Sequence, residues 1–112
     1  MEIQNMTPHA ITLRVSRSKK IIIPKGNSIA RVQFGNDYLG SFDGIPIHSR
    51  KALRLEGFPE KLKHDKIYIV SAMCQENMEE IGDYWIVSPD RLNCYMENSR
   101  IVETDRLIRI ER

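Results

Sequence analysis

The residues of this chain that could do chemistry are His9, His48, His64, Cys74, Cys94 and the carboxylates. No histidine lies within metal-ligand spacing of another histidine or of a cysteine, and no CxxC, HxH or HExxH pattern occurs, so no metal is expected. There is no P-loop, nucleophile elbow or dinucleotide fingerprint, and no cofactor is expected. Asp83 and Asp90 flank a candidate strand and would stand roughly 20 Å apart at about 3.3 Å per residue, too far for paired acid–base work. The expectation is a protein that is not an enzyme.

Binding is better supplied. Tyr38, Phe42, Tyr84 and Trp85 offer ring faces, and Arg14, Arg31, Arg50 and Arg54 offer guanidinium groups. An arginine grips a phosphate through two donors while a ring stacks on a base, the pair of contacts that an anionic, base-bearing ligand needs. Stacking contributes about 1–3 kcal/mol per base and a hydrogen bond to a charged group about 1.5–3 kcal/mol. Two bases and two phosphates then reach micromolar affinity with no catalytic residue. Trp85, in a central strand, reads as core; Tyr38, in a Gly-rich stretch, reads as a ligand contact.

The elements that must position these groups fit one domain, residues 1–112, with 41% hydrophobic and 29% charged side chains. No apolar run approaches the roughly 20 residues of a membrane span, and the first residues, MEIQNMTPH, lack the pattern of a signal peptide. A soluble intracellular protein with free thiols is expected. The formal net charge of +2 does not announce a DNA or RNA binder. Its distribution is uneven: residues 1–34 carry Arg14, Arg17, Lys19, Lys20, Lys25 and Arg31 against Glu2, whereas residues 67–90 carry only acidic charges.

The chain is organised around residues 66–90. Ile67–Val70 and Tyr84–Val87 are almost wholly apolar, as strands buried on both faces are. Between them Cys74, Met78 and Ile81 share one side of a predicted helix, with Gln75, Glu76, Glu79 and Glu80 facing water, Ser71 as N-cap and Gly82 as C-cap. Upstream, Thr7-Pro8-His9 forms a stiff turn. Ile11, Leu13 and Val15 alternate as a half-buried strand, Ile21–Ile23 returns beside it, and Ser28–Phe34 resumes the alternation with Arg31 on the less apolar face. Residues 35–50, rich in glycine and aspartate, read as an irregular loop or lid. Leu53 and Leu55, Leu92–Tyr95, Ile101-Val102 and Ile108/Ile110 supply further strands. The expected fold is α+β, roughly eight to ten short strands and one helix between the two central ones, mainly antiparallel and curled toward a barrel.

Asn5–His9 (NMTPH), the segment from Ile23-Pro24 through Gly26 to Ala30-Arg31-Val32, Gly44-Ile45-Pro46, Tyr68–Ser71 (YIVS) and Asp83–Asp90 occur in one order across most of the chain. In these it resembles a group of small phage proteins and is similar to the phage anti-CBASS sponge family. Lys25 alone separates Ile23-Pro24 from Gly26, and Gly82 stands where that pattern usually has arginine. The resemblance implies a non-enzymatic homo-oligomer, dimer or tetramer, that sequesters cyclic dinucleotide signals such as 3′,3′-cGAMP in the host cell cytoplasm. Together the resemblance and the ring and arginine supply make Thr7, His9, Arg31, Tyr38, Arg50, Ser71, Tyr84 and Asp90 the expected ligand-binding residues. The alternative is a protein-binding inhibitor or virion accessory that acts through a sheet edge.

Overall fold

The computed structural model describes residues 2–78, 82–90, 94–97 and 100–110. Within them are strands β1 (Glu2–Asn5), β2 (Ile11–Ser16), β3 (Lys19–Ile23), β4 (Arg31–Phe42), β5 (Ile45–Glu56) and β6 (Lys66–Ile69), helix α1 (Ala72–Glu76), and strands β7 (Trp85–Pro89), β8 (Cys94–Glu97), β9 (Arg100–Thr104) and β10 (Leu107–Ile108). They form a four-stranded sheet ordered β1-β6-β7-β10, a second ordered β3-β2-β9-β8, and a two-stranded ribbon β4-β5.

The two apolar runs are the centre of the first sheet. β6 and β7 lie side by side and parallel, Ile67 opposite Trp85 and Ile69 opposite Val87, with α1 in the connection between them. Side chains alternate across this sheet. Tyr68, Val70 and Ile86 face Met6, Ala30, Cys74 and Met78. Ile69 and Val87 face Ile11, Leu13 and Ile23 of the second sheet. Burial on both faces explains why these strands carry almost no polar residue.

The mainly β, one-helix architecture is as expected; the barrel is not. The sheets stay open, and β1–β6, β6–β7 and β2–β9 pair in parallel. A parallel neighbour must be reached by a long crossover rather than a tight hairpin, so these pairings depart from the mainly antiparallel sheet that was expected.

The helix is also shorter than its apolar spacing predicts. Ser71 caps it, its hydroxyl accepting the Cys74 amide at 3.2 Å, but the C-cap is Asn77, whose side chain returns to the Met73 carbonyl at 2.8 Å. Gly82 does take a left-handed φ of 60°, yet beyond the helix end; Ile81 lies outside the described residues. Gln75 does not face water. It is 2% exposed, its amide donating to the carbonyls of Ile86 (3.1 Å) and Ile108 (2.9 Å) and accepting the Ser88 hydroxyl at 2.6 Å. Trp85 is not core: at the head of β7 it stays 42% exposed, with the Arg109 guanidinium 4.9 Å from its ring centre.

The largest departure is residues 35–50. They are not a loop but the outer part of a hairpin of two twelve-residue strands, β4 and β5, closed by Asp43-Gly44. Asp43 (φ 51°) and Gly44 (φ 81°) are both left-handed, as a two-residue turn matched to strand twist requires. The hairpin makes the molecule long: its radius of gyration is 16.6 Å and its extents 56 × 33 × 27 Å, against about 13 Å for a compact chain of this length.

Candidate binding surface

The hairpin is an arm fixed at its root. Ala30, just before β4, is buried and its amide donates to the Met6 carbonyl at 2.9 Å. Val32 packs on the core. Gly57, just after β5, passes so close to Ile29 that a Cβ there would lie 2.0 Å from the Ile29 carbonyl oxygen. Beyond this clamp no residue from 33 to 55 is buried.

Two register shifts, between Gln33 and Phe34 and between Tyr38 and Gly40, sort the arm's side chains. One face carries Phe34, Tyr38, His48 and Arg50. The Arg50 guanidinium sits 3.7 Å from the Phe34 ring centre, and the Tyr38 and His48 rings are 5.4 Å apart and tilted by 40°. The Tyr38 hydroxyl is hydrogen-bonded to Ser41 at 2.7 Å, and Arg50 also reaches the Met73 sulfur at 4.0 Å. The opposite face carries Arg54, held by Gln33 (2.8 Å) and Glu56 (2.9 Å), the loose pair Lys51–Asp37 (4.0 Å), and Leu53 lying over Gly35. Near the tip Leu39, Phe42, Ile45 and Ile47 are 66%, 73%, 60% and 45% exposed. Four large apolar side chains at that exposure sit together on one short ribbon.

The eight expected ligand residues do not converge on one point. Arg31, Tyr38 and Arg50 lie on the arm, but Arg31 and Tyr38 are seven residues apart on one strand, roughly 23 Å at about 3.3 Å per residue. Thr7, buried, and His9, half-buried, belong to one turn: Asn5 accepts the Thr7 amide (3.0 Å) and hydroxyl (2.6 Å) and donates to the His9 carbonyl (3.0 Å). Gly26 closes against the same turn, its amide on the Asn5 carbonyl at 3.1 Å, where a Cβ would come within 2.7 Å of that oxygen. Tyr84 stacks on His64 at 4.3 Å, and His64 stands 3.8 Å from Asp83.

Ser71 and Asp90 follow the carboxyl ends of β6 and β7. Asp90 is buried beside Arg106, whose Nε is 3.7 Å from its carboxylate. It borders an open groove of about 310 Å³ that Gln75, Glu76, Ser88 and Ile108 also line. Glu76 and Asp90 place two carboxylates on the groove's lining, with Arg106 beside Asp90. Cys74 is buried, and burial pushes its thiol up to about 11, leaving it protonated and unreactive at neutral pH. Among the described residues no three His, Cys, Asp or Glu side chains could hold a metal ion, and no helix is long and apolar enough to cross a membrane.

Sequence reasoning missed Phe34, His48, Leu39, Ile45 and Ile47 as surface residues. The signal was present: Asp43-Gly44 between Ser41-Phe42 and Ile45-Pro46-Ile47 is the dipeptide that closes a tight hairpin. No protein-family model, no curated protein and no solved structure matches the chain.

Proposed function

We propose that this chain is a non-enzymatic binding protein whose working element is the arm, and that it acts as a protein-binding module through the arm's open edges and apolar tip. The observation that carries this is the exposure of Leu39, Phe42, Ile45 and Ile47 on a ribbon whose outer edges are unpaired among the described residues. An isolated two-stranded ribbon is marginal in water. Open edges and apolar tips are what a partner chain covers. A tagged chain should retain its partner on size exclusion, and a version with the arm cut back to Asn36 and Arg50 should not. Equal retention by both versions overturns the reading.

A second reading has its own support in the stripe of Phe34, Arg50, Tyr38 and His48, where a guanidinium and rings lie side by side. On it, the arms of a homo-oligomer hold a cyclic dinucleotide of the 3′,3′-cGAMP kind and withdraw it from signalling in the host cell cytoplasm, as the resemblance to the anti-CBASS sponges implies. A thermal-shift panel of cyclic dinucleotides tests it. Ligand at about 100 times Kd adds about 2.7 kcal/mol, a rise of roughly 10 °C for a domain of this size, and Arg50→Ala should abolish it. Flat curves across the panel reject this reading and leave the first standing.

A further inference from the structure

The arm's charge is divided along its length. The inner half, residues 31–36 and 50–56, carries Arg31, Arg50, Lys51 and Arg54 against Glu56, a net charge of +3; the outer half, 37–49, carries Asp37 and Asp43, a net −2 with His48 neutral. Apolar side chains are divided too. The tip exposes Leu39, Phe42, Ile45 and Ile47, while Leu53, Leu55 and the neighbouring Met73 are 59%, 36% and 51% exposed near the root. We infer that two copies of this chain pair through their arms, antiparallel about a two-fold axis, each outer half lying along the partner's inner half.

The inference rests on reading the arm as the interaction element and names what it meets. A two-fold interface must be self-complementary, because the same patch serves both partners. Antiparallel arms satisfy this twice on the face that carries Leu53: Asp37 and Asp43 face the partner's basic inner half, and Phe42, Ile45 and Ile47 fall toward the partner's Leu53. Parallel arms would set like charge on like. The pairing also turns a two-stranded ribbon into a four-stranded assembly, removing the weakness of an isolated hairpin. A strip as narrow as two arms buries about 1,000 Å², the low end for a specific interface, and a dimer with a Kd in the micromolar range is the expected outcome.

Sedimentation velocity on the full chain, from roughly 1 to 200 µM to bracket such a Kd, tests this with two charge variants. Variant one is Asp37→Lys with Asp43→Asn, since asparagine also tolerates the left-handed φ of 51° at that position. Variant two is Arg31→Glu with Arg54→Glu. In variant one both halves of the arm are positive, and in variant two both are negative. Each alone should dimerise at least tenfold more weakly than the unaltered chain, and an equimolar mixture should recover a heterodimer, which also shows that both variants fold. An unaltered chain that stays monomeric, a variant that dimerises undiminished, or a mixture of natively folded variants that stays monomeric overturns the inference. A monomer whose arm still retains another protein fails this inference alone; an arm-shortened chain that retains it fails the reading beneath.

Discussion

Gln75→Leu is the sharpest test of how the body holds its first sheet together. The substitution keeps the side chain's bulk but removes an amide that is 2% exposed and ties α1 to β7 and to β10. It strips a donor from the Ile86 and Ile108 carbonyls and the acceptor from the Ser88 hydroxyl. A buried polar group left without its partner costs about 1–3 kcal/mol, and the part-buried Ile108 carbonyl regains some of that from water. The expected loss is therefore about 2–5 kcal/mol, a large share of the 5–15 kcal/mol typical of a domain. In urea, with a slope near 1.5 kcal/mol/M, the midpoint should fall by about 2 M. Ser88→Ala orphans only the amide oxygen and should cost about half as much, and the two losses should be less than additive because the residues share one bond. Amide exchange at Leu107 and Ile108 should accelerate before the rest of the sheet, since β10 is two residues long and Gln75 is its tether from the helix. A Gln75→Leu protein within 0.5 kcal/mol of the unaltered chain, a difference too small for three orphaned groups, would refute this account of the network.

Replacing residues 37–49 by Asp-Gly, which joins the registered pair Asn36 and Arg50, should leave the melting temperature within about 3 °C, because none of the removed residues is buried. A fall of more than about 10 °C would show that the arm supports the body. Cys74 has its pKa raised from 9.0 to about 11, so the folded chain holds this proton more tightly than the unfolded one. Stability should be intact below pH 9 and decline by about 2 kcal/mol as pH rises toward 11, and urea titrations of Cys74→Ala should lack that decline. Gly57→Ala should destabilise far more than Gly44→Ala in the same assay. Both glycines are left-handed, but only at Gly57 does the new Cβ collide with backbone, the Ile29 carbonyl oxygen, while at Gly44 nothing lies within 4 Å; equal losses would contradict the clamp at the arm's root.

The body was legible in the sequence because its strands bury both faces. Runs such as Ile67–Val70 leave no position for a polar residue, and Cys74 in α1 and Met78 just past its end cover them. What could not be read was pairing partner and direction. A strand's composition does not say whether its neighbour runs parallel, so the expectation of antiparallel strands curled toward a barrel missed the three parallel pairings. Gln75 misled because glutamine is usually solvated, and only the arrival of Ser88 and Ile108 opposite it supplies the partners that permit burial. The turn motif has a structural task that its composition does not announce: the Asn5 side chain bonds Thr7 and the His9 carbonyl, and the Asn5 carbonyl accepts the Gly26 amide.

The arm escaped detection for a reason that bears on its use. Its strands alternate poorly because neither face meets the core, and the two bulges break what periodicity remains. Tyr38 pairs with His48 and Gly40 with Ile47, so two residues that would share a face in a regular strand point to opposite ones. Without the irregularity at Leu39, Phe42 would stand on the same side as Tyr38, mixing the apolar tip with the ring-and-arginine stripe. With it, Phe42 is turned to the side of its partner Ile45, the side that carries Leu53, Lys51 and Arg54, and is kept apart from the stripe of Phe34, Arg50, Tyr38 and His48. A bulge opened solely to weaken an edge against aggregation would not need to separate two chemistries. This one leaves an apolar, charge-divided face and an aromatic, cationic face on opposite sides of the ribbon, the first of use to the proposed protein partner and the second to the alternative anionic ligand.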